Sequence, residues 1–268
     1  MALSLILGIV VGGVMGITGA GGGILAVPAL VSVLGWTVQQ AAPVALIAVA
    51  SGAMIGALDG LRRGQVRYRA AMLMAAVGIP CTSPGVQLAQ RLPSQWLTGA
   101  FAALLLLMAT RLIRQSMTAS HQSPGDSKSP LGRLNPVTGR FTWTWPTGLL
   151  LGAIGGLAGF VSGLLGVGGG FIIVPMMHRF TSLPMHGIVA TSLLVIALVG
   201  TGGVISALLH GVTLPFAVTA LFSAAAIAGM LFGRQFARRL SSVQIQRGFA
   251  ALLVAVALVL VQRTAMAG

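Results

Sequence analysis

Residues 8–28 and 155–175 are two copies of one segment. The first reads GIVVGGVMGITGAGGGILAVP and the second GGLAGFVSGLLGVGGGFIIVP. At an offset of 147 residues the matched pairs include Gly8/Gly155, Gly12/Gly159, Gly16/Gly163, Gly19/Gly166, Gly21/Gly168, Gly22/Gly169, Gly23/Gly170 and Pro28/Pro175. Further on the offset becomes 148: Phe101–Leu105 matches Phe249–Leu253, and Arg91-Leu92 matches Arg239-Leu240. Unrelated apolar helices would not keep register over so long a stretch. The chain is built from two related halves.

The solvent of those halves follows from charge. Only 16 Lys and Arg and 2 Asp and Glu are spread over 268 residues, so 7% of the chain is charged. A soluble domain carries about a quarter, and so few charges cannot cover a water-facing surface. That excludes a soluble enzyme. Apolar runs lie at about 2–18, 24–35, 41–58, 70–89, 96–113, 147–165, 171–177, 187–209, 214–233 and 248–262. Several approach the roughly 20 residues a helix needs to cross a bilayer. Runs 24–35 and 171–177 are too short, follow glycine clusters, and read as halves of broken helices. The pattern predicts an all-α polytopic membrane protein.

The net charge of +14 sits in short gaps between apolar runs, as the positive-inside rule requires, and not on a basic face that would grip nucleic acid. Nucleic acid is not an expected partner. The lone Cys81 excludes an intramolecular disulfide and a cysteine metal cluster. The N-terminal run lacks a basic lead and recurs in mid-chain, so it reads as part of the mature fold. The polar stretch 114–146, with Pro124, Pro130, Pro136 and Pro146, reads as a cytoplasmic linker closed by Trp143 and Trp145 at the interface. The predicted organisation is a membrane repeat over 1–113, the linker over 114–146, and a second repeat over 147–268.

Loop charges bear on how the halves are oriented. If every helical unit crosses and the halves are parallel, the best arrangement leaves ten Lys and Arg on one side and six on the other. If each glycine-broken unit is a re-entrant hairpin followed by three crossings, the halves are inverted. Fourteen then face the cytoplasm and only Arg91 and Arg263 lie outside. The second arrangement obeys the positive-inside rule better, and it puts the N-terminus outside. Equivalent loops agree: Arg-rich 59–69 corresponds to Arg-free 206–213, whereas the poor loop around Arg91 corresponds to the rich one at Arg234–Arg239.

The glycines spaced by four form a smooth stripe for close helix packing. Gly21, Gly22 and Gly23, and again Gly168, Gly169 and Gly170, do more than that. Three consecutive glycines cost a helix about 1 kcal/mol each, and freed backbone groups in lipid cost several more. Such a break persists where backbone lines a polar cavity. Half-helices starting near Ile24 and Phe171 would aim N–H groups at the midplane, a backbone site for an anion. A dinucleotide loop is excluded, because no strand precedes and no acid follows.

Other polar groups are sparse. Asp59, beside Arg62 and Arg63, reads as a local ion-pair partner, so the cavity holds no carboxylate to repel an anion. His178, His186 and His210 lie near helix ends without metal-ligand spacing. Ser83, in the Thr82-Ser83-Pro84-Gly85 interruption, and Thr191-Ser192 are the hydroxyls placed to assist a substrate.

These residues resemble the TauE/SafE sulfite-exporter-like membrane proteins. The likeness is carried by the doubled G-x-G-G-G segments ending in Val27-Pro28 and Val174-Pro175. Ala190-Thr191-Ser192-Leu193 is similar to the family's G-T-S-L element, and Arg62-Arg63-Gly64-Gln65-Val66 also matches. The resemblance implies a multi-pass carrier of the bacterial inner membrane that moves small sulfur-containing anions such as sulfite or organosulfonates, usually outward. Ala190 stands where the family favours glycine, and the first-half counterpart Pro43-Val44-Ala45-Leu46 lacks the Thr-Ser pair. The expected substrate-binding set is Gly21, Gly22, Gly23, Gly168, Gly169, Gly170, Ser83, Thr191 and Ser192, with no cofactor and no metal. The expected partners are a small anion, the bilayer and a second copy in a homo-oligomer. A passive anion channel and a non-transporting assembly subunit are the alternative readings.

Overall fold

The computed structural model describes residues 2–118, 144–181, 183–212, 215–237 and 242–266. The described residues form helices and no strand. The first half holds α1 (Ala2–Thr18), a 3-10 turn (Gly19–Leu25), α2 (Ala26–Leu34), α3 (Val38–Arg62), α4 (Tyr68–Arg91) and α5 (Ser94–Thr118). The second holds α6 (Trp145–Leu165), α7 (Gly170–Phe180), α8 (Met185–Leu209), α9 (Phe216–Ala237) and α10 (Ser242–Met266). Six of these, α3, α4, α5, α6, α8 and α9, are long and apolar enough to cross a membrane. At 1.5 Å per residue, nine-residue α2 and 11-residue α7 reach about half a bilayer. Large apolar side chains such as Ile6, Ile9, Met72, Leu107, Phe232 and Leu258 are exposed along the helices, where lipid is their natural solvent.

Local chemistry sets the ends. Thr37 and Gln40 form a capping box at the start of α3, and Gly35 closes α2 in a left-handed turn. The Thr82–Gly85 stretch, read as an interruption, is instead helical: α4 runs unbroken through Pro80 and Pro84. Both prolines lie exposed on the surface of α4, where the ring meets no neighbouring helix. The Thr82 hydroxyl donates back to the Ile79 carbonyl of its own helix at 2.7 Å in the same stretch, the back-bond usual for a helical Thr. Of the stretch read as linker, residues 114–118 continue α5 and Trp145 opens α6, whereas 119–143, with Trp143, lie outside the described residues.

The halves exchange their first helices. α1 packs along α9 of the other half, and α6 along α4. A β-carbon on Gly12 would strike the Ala226 carbonyl, and one on Gly159 the Gly78 carbonyl; Gly16 and Gly163 are seated likewise on Met230 and Thr82. Residue numbers rise together along both pairs, so α1 runs parallel to α9 and α6 to α4. The glycine stripe is therefore a packing surface, and its partner is the opposite half.

At the centre α3 meets α8. There Gly203 lies against Leu46, Gly200 against Ala50, Gly56 against Leu193 and Gly60 against Ala190. One numbering rises as the other falls, so these equivalent helices pack antiparallel. α5 pairs with α10. Asp59 of α3 bonds Arg234 of α9, and the Arg67 N–H bonds the Thr191 hydroxyl of α8. The ends of α3 and α9 and the start of α8 thus gather at one arginine-rich end.

Candidate functional site

Each glycine-broken unit is an outgoing helix, a break, and a shorter returning helix. α1 follows α9 from Gly8 at Phe222 to Gly16 at Arg234, nearly the full length of that span. The break comes on the way back.

The two breaks differ in form. In the first, Gly19 turns left-handed (φ 75°) and a 3-10 helix runs straight into α2. The Ala26 N–H bonds the Gly23 carbonyl, so the regular α-helix starts at Ala26 rather than Ile24. The 3-10 helix follows α1 without a gap, its cap Thr18 being the last residue of α1 and helical in conformation. In the second, α6 closes on Gly166, whose N–H bonds the Ser162 carbonyl at 2.8 Å. Gly168 and Gly169 then take φ of 80° and 74°, conformations that side chains other than glycine resist. α7 begins at Gly170, with Gly169 as its N-cap accepting from Ile172 and Ile173 at 3.0 and 3.2 Å. Its first N–H groups, on Gly170 and Phe171, precede any intrahelical acceptor.

The fold brings both breaks to one place. A β-carbon on Gly23 would lie 2.8 Å from Val49 Cγ1 and 3.3 Å from the Val167 carbonyl oxygen. One on Gly168 would lie 3.0 Å from the same Val49 methyl and 3.0 Å from Ile196 Cγ2. Val49 and Ile196 are repeat-related residues in the middle of α3 and α8. Residues 165–171 are buried. The two triglycine segments therefore meet at the α3–α8 crossing, with backbone as the polar component and apolar walls that keep water out and strengthen any electrostatic contact.

The expected hydroxyls are distributed unevenly around that crossing. Ser192 is fully buried and lies one turn from Ile196 on the same face of α8. Val189, three residues before it, touches Gly19 of the first break. Ser192 thus stands between the two breaks, its own proton held by the Val189 carbonyl at 2.9 Å. The counterpart in α3 is Ala45, so only one side of the crossing carries a hydroxyl. Thr191 is turned elsewhere and accepts the Arg67 N–H at 3.0 Å, tying the α3–α4 connection to α8. Ser83 is half-buried and shares a face of α4 with Ile79, which touches Gly202, and with Gln87, which reaches His210 at 3.1 Å. It belongs to the α4–α8 seam, away from the glycine breaks.

Val49 and Ile196 were not legible as site residues, because apolar residues in apolar helices carry no local signal. Arg234 was legible only as a loop cation, yet its Nη2 donates to Asp59 at 3.2 Å. The local pair expected of Asp59 is present as well, with Arg63 Nε at 3.0 Å.

The profile of the Sulfite exporter TauE/SafE family matches residues 4–260. This chain belongs to the TauE/SafE family. Among relatives, a "Probable membrane transporter protein" of Xylella fastidiosa (strain 9a5c) is 28% identical over 259 residues, covering 95% of this chain and 92% of the relative. "Probable membrane transporter protein YunE" of Bacillus subtilis (strain 168) is 24% identical over 236 residues, covering 85% and 84%. No solved structure matches the chain significantly. With its six long apolar helices, this TauE/SafE member is a multi-pass membrane protein of a transporter family.

Proposed function

We propose that the protein is a secondary carrier that exports a small sulfur-containing anion, such as sulfite or an organosulfonate, across a bacterial inner membrane by alternating access. The observation that carries this reading is the meeting of Gly23 and Gly168 on the same Val49 methyl, where α3 crosses α8. It brings the two triglycine segments together at one buried locus beside the N-terminal N–H groups of α7, which supports an anion site of the kind broken membrane helices form. Chemistry at the locus suits an anion: Ser192 is nearby, and Asp59 is held at a helix end by two arginines.

The halves are taken as inverted repeats with the N-terminus outside and the 114–146 linker in the cytoplasm. The antiparallel packing of α3 and α8 supports this, since equivalent helices antiparallel to one another imply an axis lying in the membrane plane. Loop arginines, fourteen basic residues against two, support the same orientation.

The test is uptake of labelled sulfite into proteoliposomes preloaded with single small anions. Saturable exchange stimulated by one anion, at carrier rates, supports the reading and names the substrate. Conductance far above carrier turnover would make the protein a channel. Absence of flux with every sulfur oxyanion and sulfonate, from folded protein, would overturn the substrate assignment.

A further inference from the structure

The repeat relates two polar seams at opposite ends of the molecule. At the offset of 147, Asp59 of α3 and Arg63, the residue that caps that helix, correspond to Ser206 of α8 and its cap His210. At the arginine-rich end, Asp59 accepts from Arg63 on its own helix at 3.0 Å and from Arg234 of the other half at 3.2 Å. At the opposite end, His210 Nδ1 lies 2.7 Å from the Ser206 carbonyl, and its Nε2 lies 3.1 Å from Gln87 Nε2 of α4. The carbonyl can only accept, so Nδ1 carries the proton and Nε2 accepts from the Gln87 amide. One seam is an ion pair and the other a histidine–glutamine hydrogen bond.

The repeat also relates the surfaces beside the two seams. At the His210 end a small cleft of about 40 Å³ lies between α3, α4, α6 and α8, lined among others by Gln39, Pro43, Leu46, Val86, Gln90 and Gly163. Ala42, also in its wall, touches Gly166 at the second glycine break. Gln39 braces the wall, its amide donating to the Ala89 and Leu92 carbonyls at 3.4 and 3.1 Å. The repeat counterparts of Gly163, Ala42, Pro43, Leu46 and Val86 are Gly16, Val189, Ala190, Leu193 and Arg234. Glycines face those residues closely. β-Carbons on Gly60, Gly56 and Gly16 would come within 2.9 Å of Ala190, 2.8 Å of Leu193 and 2.9 Å of the Arg234 nitrogen. One molecule thus holds the same surface twice, and Arg234 stands at the arginine-rich end where Val86 lines the cleft at the other.

We propose that the Asp59–Arg234 ion pair is the latch of a gate at the arginine-rich end, engaged in this structure. Releasing the latch frees α9, with α1 seated along it, from α3. Val189, Ala190 and Leu193 then line a second cleft leading to the first glycine break. This rests on the transport reading. Asp59 and Arg234 are each about one-third exposed, and such pairs hold weakly, as a contact broken in every cycle must.

The test uses single cysteines in a Cys81→Ser background, labelled by a membrane-impermeant maleimide from either face of oriented vesicles. Asp59→Asn or Arg234→Gln should raise labelling of Val189→Cys by about two- to fivefold and lower that of Gln90→Cys. The double variant should do no more than either single. Arg63→Gln, which removes only the same-helix partner, should leave both rates unchanged. Equal labelling in all variants that keep the wild-type gel-filtration profile would overturn the latch, as would an Arg63→Gln effect matching that of Arg234→Gln. Labelling needs no substrate. If sulfite exchange fails while these shifts hold, the substrate assignment falls and the latch stands; the reverse pattern sinks only the latch.

Discussion

Gly159→Ala probes the contact on which the two halves depend. A β-carbon there collides with the Gly78 carbonyl oxygen and lies 2.7 Å from both the carbonyl carbon and Cα of Gly78. Carbon atoms rest near 3.5–4.0 Å, so α6 and α4 must part by about 1 Å. Separation there also unseats Gly155 and Gly163 from the Met74 and Thr82 carbonyls. Forcing an extra methyl into a close-packed site costs about 1–3 kcal/mol, whereas alanine returns up to about 1 kcal/mol of helix propensity. Gly99 of α5 is the matched control, because it is exposed and a β-carbon there meets nothing within 4 Å. Propensity is common to both substitutions, so the difference isolates packing. Gly99→Ala should exceed Gly159→Ala in stability by about 1–3 kcal/mol, read from reversible unfolding in mixed micelles with rising SDS. Equal midpoints, or a Gly159→Ala protein more stable than wild type, would refute the close packing of α6 on α4.

Three further outcomes follow from the site. Gly168→Ala must hold a left-handed backbone at about 1–2 kcal/mol and press on Val49 and Ile196, and Gly22→Val loads the first break. Both should abolish exchange while the gel-filtration profile stays that of wild type, and unchanged flux in both would remove the triglycine site. Ser192→Ala deletes one hydroxyl between the breaks and should raise the half-saturation concentration about two- to tenfold, whereas Ala45→Ser should not lower activity; an unchanged Ser192→Ala half-saturation would exclude contact with substrate. Thr191→Val strands the Arg67 N–H and should cost about 1 kcal/mol of stability without moving half-saturation, and the opposite split would return Thr191 to the site.

The glycine breaks were legible because three adjacent glycines in an apolar run are costly wherever they lie, so their position is local information. The form of each break was not. Gly19–Leu25 continues as 3-10 helix, whereas Gly166–Gly169 unwinds through left-handed residues, a difference decided by what each segment packs against. Ser192, Thr191 and Ser83 all display a hydroxyl in the sequence, yet only Ser192 lies between the breaks; α8 and α4 turn Thr191 and Ser83 to other seams. A hydroxyl advertises its chemistry in the sequence; the direction it faces depends on its neighbours.

From the sequence alone came the solvent, the two related halves and the places where helices must break, since scarcity of charge, register of a repeat and glycine clusters are all properties of the chain itself. Tertiary structure alone decided the partners. A stripe of glycines fits any smooth helix, and only the packed molecule shows that α1 chose α9 and α6 chose α4. The meeting of Gly23 with Gly168 on Val49, and of Asp59 with Arg234 across 175 residues, follows from that exchange. Such pairings link distant residues through shape, and shape complementarity has no spacing to read along the chain.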